Sequence, residues 1–330
     1  MKRILAKLIV LTAMVLFTVF GTSAKESTVK EHYIETELGK IYVRTEGSGH
    51  PVVIVNGGPG AGHTVFLGWF DFLKAQGFQL VFFDDIGRGR STRKIEGKFT
   101  PQMTVDDIEA VRKYLNADKI TVMGHSYGGI PTMQYALQYP QHVEKLIMLN
   151  ASYDTKSHQM NADHYIHLVR TMYPKKWKKL EALHANGVKA SDEAYDSELF
   201  GPFIGWYQWY DVENRKKSRK VRTNDKRDRF NLKVFEDIVQ LAHGGEIRGT
   251  LLGIDIKEQV KNFNIPTLIT SGRFDNASTP ELVHRLYEML PEGIASYTMF
   301  EKSGHWPWVE ETEKFEIIVS EFLNEKTKAK

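Results

Sequence analysis

Ser126 stands in the run Gly124-His125-Ser126-Tyr127-Gly128-Gly129. This G-x-S-x-G spacing lifts a hydroxyl out of a turn too tight for large neighbours. Two further loops carry the residues that make a serine reactive. Asp275 closes Gly272-Arg273-Phe274-Asp275, and His305 follows Gly304 and precedes Trp306. Serine is a poor nucleophile until a base takes its proton, and an imidazole titrates near neutral pH and can take it. A carboxylate behind the imidazole fixes its tautomer and stabilises the imidazolium. The chain order Ser, Asp, His suits acyl transfer through a Ser126–His305–Asp275 triad. The oxyanion of that reaction needs rigid N–H donors. Tyr127 supplies one, and Gly58 in Asn56-Gly57-Gly58-Pro59-Gly60-Ala61-Gly62 supplies the other. Each residue alone has a plainer reading: a glycine-rich turn that contains serine, an aspartate capping a helix, a surface histidine. The coincidence of all five features selects the catalytic one.

The elements that must position these residues follow from hydrophobic pattern. Tyr33–Thr45 alternates around Gly39-Lys40 and predicts an antiparallel hairpin at a sheet edge. Pro51–Val55, Phe78–Phe83, Lys119–Met123, Val143–Leu149, Ile265–Thr270 and Ala295–Phe300 read as strands. Pro51–Val55 is continuously apolar, as expected of a strand buried on both faces. Helices are expected at His63–Gln76, at Met103–Leu115 with Thr104 or Asp106 as N-cap, and at Ile130–Tyr139. Two more are expected from Thr279-Pro280 to Leu290 and from Glu311 to Asn324. Alternating strands and helices imply an α/β chain with a mostly parallel, doubly wound sheet. Its functional loops then lie at the C-terminal ends of the strands.

The pattern breaks at residues 152–249. No buried strand is evident there, aromatics are dense, and amphipathic periodicity marks Ala162–Met172 and Phe230–Ala242. This stretch reads as an inserted helical cap between core segments 25–151 and 250–330. Lys and Arg crowd Arg215–Arg229, read as a solvated helix face. With a net charge of +3 there is no global signal for nucleic acid or another polyanion. The chain begins Met1-Lys2-Arg3, continues with Lys7 and an apolar run from Leu8 to Phe20, and reaches Ala24 through small residues. That is the pattern of an export signal over residues 1–24. The expected location is periplasmic or extracellular, or membrane-anchored if the segment stays uncleaved. The apolar run is short for a bilayer span, which needs ~20 residues. No cysteine occurs in the 330 residues, so lipid attachment through cysteine and thiolate metal sites are excluded. H-E-x-x-H, the Walker lysine and G-x-G-x-x-G are absent. No metal or cofactor is expected, and the partner is a small molecule or short peptide.

These motifs carry a resemblance. Asn56-Gly-Gly-Pro-Gly60, Phe83-Asp84-Asp85-Ile86-Gly87-Arg88-Gly89-Arg90-Ser91, the Ser126 elbow, Gly272–Asp275 and Gly304–Trp306 are similar to those of the α/β-hydrolase superfamily. Within it, the chain resembles the proline iminopeptidases. The resemblance covers about residues 30–325. It implies a Ser126/Asp275/His305 triad, a helical cap over the site, and release of N-terminal residues, often proline, from short peptides. The chain departs from the family pattern at Asn56, where histidine is usual, and at Asp85, where glutamine is usual. Family members pair the substrate's α-ammonium with cap carboxylates. His243-Gly-Gly-Glu246 looks like that segment, which makes Glu246 the candidate here, with Gly57 and Trp306 as further substrate-binding candidates. A carboxylesterase or lactonase using the same triad stays open, as does a non-catalytic binding protein on this fold. Dehalogenases and epoxide hydrolases place aspartate at the elbow, where this chain has Ser126.

Overall fold

The computed structural model describes residues 29–190, 192–200 and 204–325; the expected export signal, residues 1–24, lies outside them. No helix among the described residues is long and apolar enough to cross a membrane. Eight strands form one sheet: β1 (Val29–Thr36), β2 (Gly39–Gly47), β3 (His50–Val55), β4 (Phe78–Asp84), β5 (Ile120–His125), β6 (Val143–Leu149), β7 (Thr267–Gly272) and β8 (Ala295–Phe300). Their order across the sheet is β1-β2-β4-β3-β5-β6-β7-β8. The β1–β2 hairpin is antiparallel and occupies the edge, as expected. β2 pairs antiparallel with β4, and every pairing from β4 onward is parallel.

The continuous apolar strands are buried on both faces. Val53 and Val55 of β3 face one hydrophobic cluster with Val81, Phe83 and Val122. Val52 and Ile54 face a second with Leu80, Phe82 and Met123. Successive side chains of a strand point to opposite faces, so a strand with helices on both sides must be apolar at every position. The first cluster takes in α1 (Pro101–Tyr114), α2 (Gly129–Gln138) and, beyond the insertion, the helix at Pro280–Met289. The second takes in Phe66, Phe70, Trp308 and Phe315.

Several boundaries differ from expectation. His63–Gln76 forms two short 3-10 turns, His63–Val65 and Asp71–Gln76, in place of a helix. Gly68 between them is left-handed, at φ 79°. The first helix is capped by Thr100, whose hydroxyl accepts from the Met103 N–H, with Pro101 in the first turn. Proline is favoured there because its missing N–H has no helical acceptor to lose.

Between β6 and β7 lie α3 (Thr155–Met172), α4 (Pro174–Ala185), α5 (Glu193–Phe200), α6 (Ile204–Gln208) and α7 (Leu232–Ile238). Tyr165, Ile166, Val169, Trp177, Leu180, Tyr195 and Leu199 pack here as a hydrophobic cluster of their own. α3 begins seven residues before its periodic stretch because Asp154 and Ser157 cap each other reciprocally. α7 is shorter than expected: Gln240 turns left-handed at φ 45°, and Leu241 bridges Ile247. The basic run is not a helix face. It holds only 3-10 turns at Val212–Lys217 and Lys226–Asp228. α8 (Pro280–Met289) follows β7, and α9 (Pro307–Glu310) and α10 (Thr312–Asn324) follow β8.

Candidate active site

Six loops leave the same edge of the sheet, after β3, β4, β5, β6, β7 and β8, because those strands run parallel. At the end of β5 the chain turns within one residue from strand to helix. Ser126 takes φ 57°, a left-handed conformation that costs a non-glycine residue about 1–2 kcal/mol. Such strain persists only where the surroundings impose it. The neighbours of the turn leave no room for side chains. A methyl at Gly124 would lie 2.4 Å from Thr132 Oγ1, and one at Gly128 would lie 2.5 Å from Asn56 O. Ser126 is half-buried while Tyr127 beside it is buried.

The glycine loop after β3 lies against the elbow. A methyl on Gly57 would stand 3.1 Å from Ser126 Cβ, so the loop backbone passes directly beside the serine. Gly58 takes φ 112°, where a methyl would strike Gly60 N at 2.7 Å. Asn56 pins the loop from below: Nδ2 donates to Phe83 O (2.7 Å) and to Asp85 Oδ1 (3.2 Å). Asp85 in turn accepts from Thr104 Oγ1 (2.7 Å) and pairs with Arg88 Nη1 (3.1 Å). All four are buried. The two positions at which the chain departs from the family pattern therefore bond to each other.

Asp275 and His305 meet across the ends of β7 and β8. His305 Nδ1 lies 2.8 Å from Asp275 Oδ2, and both residues are buried. A carboxylate only accepts, so the proton sits on Nδ1 and leaves Nε2 as the acceptor. Asp275 Oδ1 accepts from the N–H groups of Ala277 (2.8 Å) and Ser278 (2.9 Å). A third residue, not recognised from sequence, completes the shell. Asn150, just past β6, donates from Nδ2 to Asp275 Oδ2 (2.9 Å) and Gly304 O (3.1 Å) and accepts from Thr270 Oγ1 (3.2 Å). Its φ of 46° suits asparagine, which tolerates the left-handed region. The signal in the sequence is a polar residue directly after the apolar run Leu146–Leu149 that ends β6.

His125 is bound from behind. Its Nε2 lies 3.1 Å from His305 O, and the ring packs on His305 (4.5 Å between centroids) and Trp306 (4.9 Å). A carbonyl only accepts, so His125 carries its proton on Nε2. Burial, reinforced by His305, holds it well below the usual histidine range, so it stays neutral. Trp306 stacks on Trp209 at 5.7 Å and donates from Nε1 to Gln208 Oε1 at 3.4 Å. Its indole is thus occupied in holding the His305 loop to the insertion, to which the His305 N–H also bonds through Gln208 O (2.7 Å).

The insertion faces the elbow with neutral polar and aromatic groups. His158 packs 6.0 Å from the Tyr127 ring, and its Nδ1 lies 3.2 Å from Ser152 Oγ. Burial pushes its imidazole down to about 4. Phe230 stands beside Gly58 and Gly60. The structure does not bring Glu246 to this group. Its carboxylate is exposed and pairs with Arg248 at 2.7 Å, beyond the Leu241–Ile247 bridge. Among the described residues one cluster of metal-ligand type occurs elsewhere: oxygens of Asp84 and Asp228 and a nitrogen of His63 lie within 4.8 Å of one another. Asp84 already accepts from His63 Nδ1 and from the His63 and Arg90 N–H groups. The Arg90 guanidinium reaches Asp228 at 3.3 Å and supplies a cation there.

A family model described as alpha/beta hydrolase fold matches residues 50–312. The proline iminopeptidase of Heyndrickxia coagulans is 25% identical over 300 residues, covering 89% of this chain and 98% of the relative. That of Saccharolobus solfataricus is 27% identical over 293 residues, covering 87% and 88%. Among solved structures, proline iminopeptidase from Mycobacterium smegmatis superposes with a TM-score of 0.69 at 20% identity, covering 89% of this chain and 97% of its own. VinJ superposes at 0.70 and 21%, covering 89% and 98%.

Proposed function

We propose that this chain, a hydrolase that belongs to the alpha/beta hydrolase fold family, works as a serine hydrolase through an acyl-enzyme on Ser126. The observation that carries the reading is the buried 2.8 Å bond from His305 Nδ1 to Asp275, on loops leaving the same sheet edge as the strained Ser126. In this reading Ser126 Oγ attacks the acyl carbon while its proton passes to His305 Nε2. The Tyr127 and Gly58 N–H groups receive the oxyanion. Collapse of the tetrahedral species expels the leaving group, which takes the proton from His305. Water then attacks the acyl-enzyme with His305 as base, releasing the acid and restoring the serine. Asp275 stabilises the imidazolium in both steps. Loss of one oxyanion donor should cost ~10²–10³ in kcat.

The substrate reading rests on the relatives. The proline iminopeptidases match over nearly their full length, which favours release of an N-terminal residue, proline above all, from short peptides. A specific observation favours a second reading, an esterase or lactonase. A buried ammonium needs a paired anion, and Glu246, the carboxylate expected to supply it, is exposed and paired with Arg248. Side-by-side assay on proline p-nitroanilide and p-nitrophenyl butyrate separates the two. Ester turnover with no anilide turnover rejects the peptidase; neither, in folded protein, rejects the hydrolase mechanism. Export is part of the proposal, with cleavage after Ala24, and the mass of the protein recovered from the host's envelope or medium tests it.

A further inference from the structure

We propose that the segment Val212–Phe230 docks on an anionic lipid surface. Residues 212–229 hold nine Lys and Arg against three Asp and Glu. That is an excess of six positive charges in a chain whose total is +3, so the rest of the molecule carries a net −3. All nine cations are exposed. The three acids are spent close by. Glu213 pairs with Lys216, Asp225 with Arg227, and Asp228 is buried against Arg90. Arg215, Arg219, Arg222, Lys226 and Arg229 have no carboxylate partner among the described residues.

Charge alone would suit any polyanion. The apolar side chains of the same segment narrow the choice. Val212, Val221 and Phe230 are 45%, 43% and 49% exposed, and Tyr210 just before them is 47% exposed. Exposed valines offer a base no ring to stack on and a sulfated polysaccharide nothing at all, whereas a bilayer takes cations at its headgroups and apolar tips at the acyl boundary. The segment is also held in shape. The Asp211 N–H bonds Glu310, Trp69 Nε1 donates to Ser218 O at 3.1 Å, Lys220 lies 4.2 Å over the Trp69 ring, and the Asn231 N–H bonds Gly60 O. Its ordering cost is met within the fold, not at the membrane. Phe230 borders the glycine loop, so a docked segment would set that edge of the site at the lipid surface.

The test is co-sedimentation of the protein lacking the export signal, residues 25–330, with phosphatidylcholine vesicles, with and without phosphatidylglycerol, at low and high salt. Each basic residue near an anionic surface is worth about fivefold in partition. Arg219→Ser/Arg222→Ser/Lys226→Ser/Arg229→Ser should therefore lower binding to the anionic vesicles by ~10² or more. Binding to pure phosphatidylcholine, which offers the cations no anionic headgroup, should be weak for both proteins and unchanged by the substitutions. Val212→Ser/Val221→Ser should cost ~3–10-fold on anionic vesicles and nothing on heparin. Equal binding of the parent and the fourfold variant to anionic vesicles overturns the proposal. So does cation-dependent binding to heparin without any to vesicles, which would assign the segment to a soluble polyanion.

Discussion

Asn150 offers a way to weaken the Asp275–His305 pair without touching either residue. Its Nδ2 gives one of the three protein donors besides His305 that Asp275 accepts, and it also ties down Gly304 O, the carbonyl next to His305. A hydrogen bond to a charged group is worth about 1.5–3 kcal/mol and a neutral one about 1 kcal/mol. Asn150→Gly keeps the left-handed backbone and removes only the side chain. Stability should fall by ~2–4 kcal/mol. If the carboxylate bond steadies the imidazole in the transition state, kcat should fall ~10–150-fold on whichever chromogenic substrate is turned over. Asn150→Ala loses the same bonds and adds about 1–2 kcal/mol of strain at φ 46°. The two variants should therefore share one kcat and differ in denaturant midpoint. Steady-state kinetics and urea unfolding measure both. An Asn150→Gly protein with the parent's kcat and pH–rate profile would refute the reasoning.

Three further outcomes follow from the geometry. Gly128→Ala puts a methyl 2.5 Å from Asn56 O and 2.8 Å from Val55 O. It should cost about 1–3 kcal/mol or more and abolish turnover, while Gly244→Ala, which meets nothing within 4 Å, should change neither. Burial pushes the Glu109 carboxyl up, but Arg112 and Tyr135 more than offset it and hold the group at about 2, down from 4.5. A depressed carboxylate contributes stability above its unfolded value and loses it as pH falls. The gap between Glu109→Gln and the parent should therefore be full near neutral pH and close between about 4.5 and 2 in acid titrations of the folded state. Glu246→Gln should leave KM for a free-amine substrate unchanged, because the carboxylate is exposed and paired with Arg248; a KM raised tenfold or more would place Glu246 at the amine after all.

The sheet was legible because burial on both faces writes an unbroken apolar run, as in β3, and β8 falls on its expected residues Ala295–Phe300. The parallel order followed from strand–helix alternation, and with it the convergence of the loops bearing Ser126, Asp275 and His305. What local pattern could not express depended on distant partners. Asn150 matters through Asp275, 125 residues away. His63–Gln76 has helical composition, yet Gly68 and packing on the sheet leave only 3-10 turns. In the insertion, the faces of α4 and α5 pack on α3 and on each other and not on the sheet. The cations of Arg215–Arg229 were visible; that they lie on an exposed, non-helical segment was not. The short motif around Glu246 resembles a family segment, yet the side chain is exposed and paired with Arg248.

The central claim is that Ser126 is a nucleophile activated through His305. Mass spectrometry of the folded chain after treatment with a fluorophosphonate tests it most directly. One adduct on the Ser126 peptide is expected, absent in Ser126→Ala and slowed by orders of magnitude in His305→Ala, with both variants unfolding within a few degrees of the parent. A folded chain that takes no adduct, or takes it on another serine, would contradict the account.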